Sequence, residues 1–281
     1  MDLVVSTEWL AAELGQPDLV VLDCTTYLPN EVGNAPDGFR AAHIPGAQLF
    51  NIDLIADPHT DLPHMVPTAG HFARLVGALG VSNESRVVFY DQHGLRASAR
   101  GWWMMRLFGH ERAAVLDGGL PAWRREGRPV EQGDATPPAP GRFVPDLIAR
   151  RLAGIGDMKR IIADGSALVL DARATARFDG TAPEPRPGLP SGHMPGAASL
   201  PLASLLTAEG TLKPRAELLA LFQAAGADGA RPLVTSCGTG VTACGLTLGA
   251  VLVGLPEPAV YDGSWTEWAS RPETPKQTSS R

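Results

Sequence analysis

One cysteine in this sequence sits where a thiol can act as a nucleophile. Cys237 ends the run Leu233-Val234-Thr235-Ser236 and opens the turn Gly238-Thr239-Gly240-Val241-Thr242, after which Ala243 to Val253 reads as a helix. Small residues in such a turn let successive backbone N–H groups point inward, and a helix start adds positive potential. Both favour an anion on the sulfur, and the thiolate is the reactive form of cysteine. Cys24 and Cys244 have no such setting and read as inert, buried thiols. Three cysteines without a C-x-x-C pair give neither a disulfide framework nor a zinc site, and a reducing cytoplasm is expected. A phosphatase would need an arginine about six residues after the nucleophile to hold phosphate. Position 243 is alanine, which sets that chemistry aside.

The elements that must position Cys237 occur twice. Each half carries a Val/Leu strand ending in aspartate (Leu19 to Asp23, Ala167 to Asp171), then an H-x-P-G-A turn (His43 to Ala47, His193 to Ala197). Each then has a second strand (Val87 to Asp91, Leu233 to Cys237) and an Asp-Gly turn followed by tryptophan (Asp117 with Trp123, Asp262 with Trp268). Paired positions are offset by 145 to 150 residues, so each copy is a domain rather than a solenoid unit. Helical segments over Ala69–Leu79, Ala97–Phe108, Arg215–Ala225 and Ala243–Val253 alternate with the strands. The fold class is therefore α/β, two tandem domains each built on a mostly parallel sheet flanked by helices. Residues 1–132 form the first domain, the proline-rich stretch 133–145 a linker, and 146–281 the second domain. The polar tail after Arg271 is expected to fray.

A duplicated chain carries its own control, because what both copies keep is fold and what one copy alone has is function. His43 and His193 share one context and read as turn or packing histidines, and Trp123 and Trp268 read as core aromatics. The nucleophile position does differ, with Asp91 in the first copy and Cys237 in the second. Arg177 and Arg186, in the loop after the second copy's first strand, also have no counterpart in the equivalent loop YLPNEVGNAPDGF.

The runs Phe39 to Ala47, Cys237 to Thr242 and Tyr261 to Trp268 together resemble the tandem-domain rhodanese superfamily of sulfurtransferases, over nearly the whole chain. The resemblance implies two rhodanese-like domains, an inactive first one and a catalytic second one, with the site in the cleft between them. Within the superfamily the CGTGVT loop is similar to the C-G-S-G-V-T of 3-mercaptopyruvate sulfurtransferases, with Thr239 where that pattern has serine. It implies that Arg177 and Arg186 clamp the substrate carboxylate, that the loop residues Gly238, Gly240, Val241 and Thr242 bind the substrate sulfur beside Cys237, and that Asp53, His64 and Thr239 form a relay. The alternative is thiosulfate:cyanide sulfurtransferase. Thiosulfate is a dianion that cations beside the thiol would help, yet no lysine or arginine occurs from Gly238 to Ser270. Mercaptopyruvate carries its charge two carbons from its sulfur, which suits more distant arginines.

The net charge of −6 and pI near 5.6 give no overall attraction for nucleic acid or an anionic membrane. The longest weakly polar run, Gly245 to Pro256, is too short to span a bilayer, and no Lys- or Arg-led apolar segment opens the sequence. Neither metal nor organic cofactor is expected. The partners expected are the sulfur donor 3-mercaptopyruvate and a thiol acceptor or thioredoxin-like protein.

Overall fold

The structure, a computed structural model, describes residues 1–279. Its first sheet has the order β1-β5-β4-β2-β3, from β1 (Val4–Val5), β2 (Leu19–Asp23), β3 (Gln48–Leu49), β4 (Arg86–Tyr90) and β5 (Ala113–Leu116). The second repeats that order as β6-β10-β9-β7-β8, from β6 (Leu152–Ala153), β7 (Leu168–Asp171), β8 (Ala198–Ser199), β9 (Leu233–Ser236) and β10 (Ala259–Tyr261). All the strand pairs are parallel, so both faces need cover, which is why the inner strands β4, β5, β7 and β9 are buried almost along their whole length rather than at alternate positions.

Helices supply that cover. In the first half they are α1 (Thr7–Glu13), α2 (Ala35–Ala41), α3 (Ile52–Ile55), α4 (Ala69–Ala78), α5 (Ser98–Leu107) and α6 (Gly119–Arg125). In the second they are α7 (Ile155–Asp164), α8 (Thr175–Phe178), α9 (Arg215–Ala224), α10 (Ala243–Leu252) and α11 (Ser264–Ser270). The first four are capped by the side chains of Ser6, Asn34, Asn51 and Thr68. The paired helices α5 and α10 take no cap from the side chains of their N-cap residues, Ala97 and Thr242, and each starts directly from the turn after a central strand. They pack against each other at the domain junction, where all ten residues of α5 and eight of α10 are buried. Helix α10, apolar almost all round, has to be enclosed on every side, α5 buries Arg100 and Arg106 in ion pairs, and one continuous apolar cluster spans both domains here.

The paired motifs that read as fold are indeed structural. His43 and His193 each stack on a phenylalanine (Phe39, Phe178) and put Nδ1 2.9 and 2.8 Å from that residue's carbonyl oxygen. Trp123 and Trp268 are buried and donate Nε1–H to the carbonyls of Pro129 and Pro275. Over residues 272–279 the tail corrects the expectation of fraying, and residues 280 and 281 lie outside those described. Gln277 bridges His193 and the Ser279 hydroxyl donates to Asp179, so the tail is fastened by side chains that the second domain already fixes. The proline-rich segment is extended, yet it follows the first domain closely: Phe143 packs on Phe72, and Asn83 exchanges two hydrogen bonds with Val144. Among the described residues no helix is long and apolar enough to cross a membrane.

Candidate active site

Cys237 follows β9 immediately, and the Tyr261-to-Trp268 run explains how its turn is held. The Cys237 N–H donates to Ser264 Oγ at 3.0 Å, its carbonyl accepts the Trp265 N–H, and Thr266 donates twice to the Gly238 carbonyl. Gly240 has φ +75°, and a Cβ there would sit 2.7 Å from the Asp262 carbonyl, so glycine is required. One expectation needs correction at this point. Gly238, Thr239, Val241 and Thr242 line the cleft with Cys237, whereas Gly240 faces away from it and accepts from Cys244 Sγ. Its positive φ turns its carbonyl inward to the protein, so its part is to shape the turn.

Among the described residues no backbone N–H from Gly238 to Ala243 donates to a protein acceptor. The first domain reveals what such a turn holds. There the Asp91 carboxylate, fully buried, accepts the N–H groups of His93, Arg96, Ala97 and Ser98 at 2.8 to 2.9 Å. The two turns are equivalent in chain position, so the first is an anion cradle filled by its own side chain. The second presents the same kind of cradle around a thiol.

The other expected residues gather around this thiol from both domains. His64 Nδ1 lies 2.9 Å from Thr239 Oγ1, and its Nε2 is 3.1 Å from Asp53 Oδ1. A carboxylate only accepts, so His64 Nε2 carries a proton towards Asp53, and in the neutral ring Nδ1 then accepts from the Thr239 hydroxyl. This hydrogen bond holds the Asp53 carboxyl below its usual range, helped by the positive Arg186. His64 adopts φ +63°, strained for a residue with a side chain, and its carbonyl is gripped by Arg100 Nη2 at 2.6 Å. Arg177 and Arg186 both line the cleft, whose volume of about 180 Å³ suits a small acid.

Several residues that matter here escaped the sequence reading. Arg100 is wholly buried and pairs with Asp262 across the domain junction at 2.7 Å, while its Nη1 approaches the Gly240 carbonyl. It thereby joins the His64 arm to the cysteine turn. Glu184, almost without exposure, accepts from Arg173 at 2.7 Å and from Arg177. Arg96 and Tyr27 form part of the cleft's first-domain wall, with Arg96 paired to Glu31. A cysteine before small residues can be recognised locally, but an arginine whose partner is 162 positions away carries no local signal. Of the three cysteines only Cys237 lines the cleft, and burial pushes the Cys244 thiol up to about 12.

The rhodanese-like domain profile matches residues 6–126 and again 155–271. The chain belongs to this family. Human 3-mercaptopyruvate sulfurtransferase is 43% identical, over 96% of this chain and 93% of the human protein. The Arabidopsis thaliana mitochondrial thiosulfate/3-mercaptopyruvate sulfurtransferase 1 is 42% identical, over 97% of this chain and 77% of that protein. The crystal structure of the 3-mercaptopyruvate sulfurtransferase SseA from Escherichia coli superposes with a TM-score of 0.85 at 33% identity, covering 94% of this chain and 99% of that one.

Proposed function

We propose that this rhodanese-family protein is a sulfurtransferase that moves sulfane sulfur from 3-mercaptopyruvate to a thiol or to cyanide, releasing pyruvate. The observation that carries the reading is the turn at Cys237, where the free N–H groups of Thr239, Thr242 and Ala243 stand in the positions of the His93, Arg96 and Ala97 groups that hold the Asp91 carboxylate in the sister domain. In the first half-reaction the Cys237 thiolate attacks the donor sulfur. The donor's carbon–sulfur bond breaks, its electron pair passes to carbon as pyruvate enolate, and a proton makes pyruvate. Cys237 keeps the transferred sulfur as a persulfide, with the N–H cradle stabilising its negative charge. An acceptor thiolate or cyanide then attacks the outer sulfur and restores the Cys237 thiolate, a two-step route through a covalent intermediate.

Arg177 and Arg186 hold the donor's carboxylate, and charge-assisted bonds of this kind are worth roughly 1.5 to 3 kcal/mol each. The Asp53–His64–Thr239 chain supplies and removes protons at the mouth of the turn. In this reading residues 146–281 carry the nucleophile and clamp, 1–132 supplies the His64 arm without a nucleophile of its own, and 133–145 links them. The physiological acceptor is a small thiol or a thioredoxin-like protein in a reducing cytoplasm, a setting that suits three unpaired cysteines. Thiosulfate is the competing donor, in view of the Arabidopsis relative's name. The test is intact mass after incubation with mercaptopyruvate, alongside pyruvate release. One added sulfur in the native protein and none in Cys237→Ser is the expected result, and no added sulfur overturns the reading.

A further inference from the structure

Four arginines line the cleft beside Cys237: Arg96, Arg173, Arg177 and Arg186. Three carboxylates are paired with them. Glu31 holds Arg96 at 2.7 Å, Asp171 holds Arg173 at 2.7 Å, and Glu184 bridges Arg173 and Arg177. Among the described residues Arg186 has no ion-pair partner; Asp53 acts on it only at longer range and is hydrogen-bonded to His64. Arg186 is therefore the cleft arginine without a carboxylate at ion-pair distance, with the Asp53 charge further off. Of these four, Arg177 lies against the nucleophile's turn, since a Cβ on Gly238 would lie 3.2 Å from its Nη2. Its charge would act most strongly on whatever binds to the sulfur, and Glu184, with a side chain only 2% exposed, cancels that charge at close range. Both Arg177 Nε and Nη2 reach one oxygen of Glu184, leaving Nη1 for a ligand.

We propose that Glu184 sets the charge of the donor: by compensating Arg177 it lowers the positive charge of the cleft by one, which favours a monoanion such as mercaptopyruvate over a dianion such as thiosulfate. This rests on the sulfurtransferase reading above and adds to it a residue that acts through Arg177 without touching the reacting sulfur. Neutral residues after the cysteine are then only part of donor choice; the remainder is a buried carboxylate on the loop that carries the clamp.

The test is Glu184→Gln in the full chain, which removes the charge but keeps a side-chain oxygen able to accept from Arg177. Measured as kcat/KM for both donors, the thiosulfate-to-mercaptopyruvate ratio should rise about tenfold at low salt, the scale of one added charge a few ångströms away in a partly solvated cleft. The rise should shrink as salt is added. Glu184→Asp, which displaces the group but keeps its charge, should hold the native ratio whatever it does to the rate. A parallel loss with both donors and an unchanged ratio in Glu184→Gln would make Glu184 merely structural and overturn the proposal. Should Glu184→Gln fail to fold, the native protein still decides: pyruvate should inhibit at lower concentration than the dianion oxalate, and equal or stronger inhibition by oxalate overturns it. A native protein that transfers sulfur from neither donor removes the sulfurtransferase reading itself, a result distinct from an unchanged ratio.

Discussion

Replacing Asp91 by alanine should destabilise the protein far more than an ordinary buried polar-to-alanine change, although Asp91 takes no part in the chemistry. Its carboxylate is fully buried and accepts four backbone N–H groups, at 2.8 Å from His93, Ala97 and Ser98 and 2.9 Å from Arg96. Each unmade bond to a buried donor costs about 1 to 3 kcal/mol, and bonds to a charged acceptor sit at the upper end. The four share one acceptor and relax together, so the sum is not additive. A loss of about 4 kcal/mol or more is still expected, in the range reserved for broken buried networks. Urea unfolding followed by circular dichroism should show it as a lower midpoint with little change in slope. Asp91→Asn, which keeps one acceptor oxygen, should lose less. Formate should partly restore Asp91→Gly, since a free carboxylate can enter the emptied cradle and stabilise by mass action. If Asp91→Ala loses less than about 1 kcal/mol, the cradle is not the anion site argued above, and the parallel drawn to the Cys237 turn fails.

Cys237→Ser should abolish sulfur transfer in the pyruvate-release assay, while Cys24→Ser and Cys244→Ser keep it. Because burial pushes the Cys244 thiol up to about 12, iodoacetamide at pH 8 should label Cys237 and leave Cys244 unlabelled, as read by peptide mass. Single replacement of Arg177 or Arg186 by methionine should raise KM for mercaptopyruvate at least roughly tenfold, or about 1.4 kcal/mol. Unchanged kinetics in both would return them to structural roles. The Asp53 carboxyl is held below its ordinary value of 3.8 by His64, so its contribution to stability is full above that pH and is lost as pH falls through the lower folded value. The gap in urea midpoint between the native protein and Asp53→Asn should accordingly close in acid, and it should be small at neutral pH, below about 1 kcal/mol, because the side chain is 70% exposed.

Those parts of the molecule that follow local rules were readable in the sequence. Helices expected at Ala69–Leu79 and Ala243–Val253 form over Ala69–Ala78 and Ala243–Leu252, since capping and apolar content act within a few residues. The doubled strand order followed from the repeat, and Cys237 stood out because strand end, small turn and helix start are contiguous. What was illegible depends on distant partners. Nothing near Arg100 announces Asp262, and nothing in the polar loop around Glu184 tells a buried bridge from a solvated acid. The tail looked loose because its own residues are polar, whereas what fastens it, such as the Trp268 indole and the bridge to His193, belongs to the domain. The resemblance that groups Gly240 with the other loop residues does not say which way each residue of the turn faces.

The two domains reach into one another reciprocally. The first sends its His64 arm to the Thr239 turn of the second, while the second lays its Thr207–Thr211 turn over Gly94 and donates from Leu212 to Asp117 of the first. With α5 against α10 at the centre, this is the contact pattern of a twofold homodimer, in which the same patch serves both partners. In a true homodimer both sites must stay alike, because one gene writes both. Once the halves share a chain, each position can drift alone. One cradle can then trade its reactive sulfur for a carboxylate that braces its own turn, while the other keeps its sulfur. A single polypeptide thus holds two versions of one pocket, one given over to strength and the other to turnover.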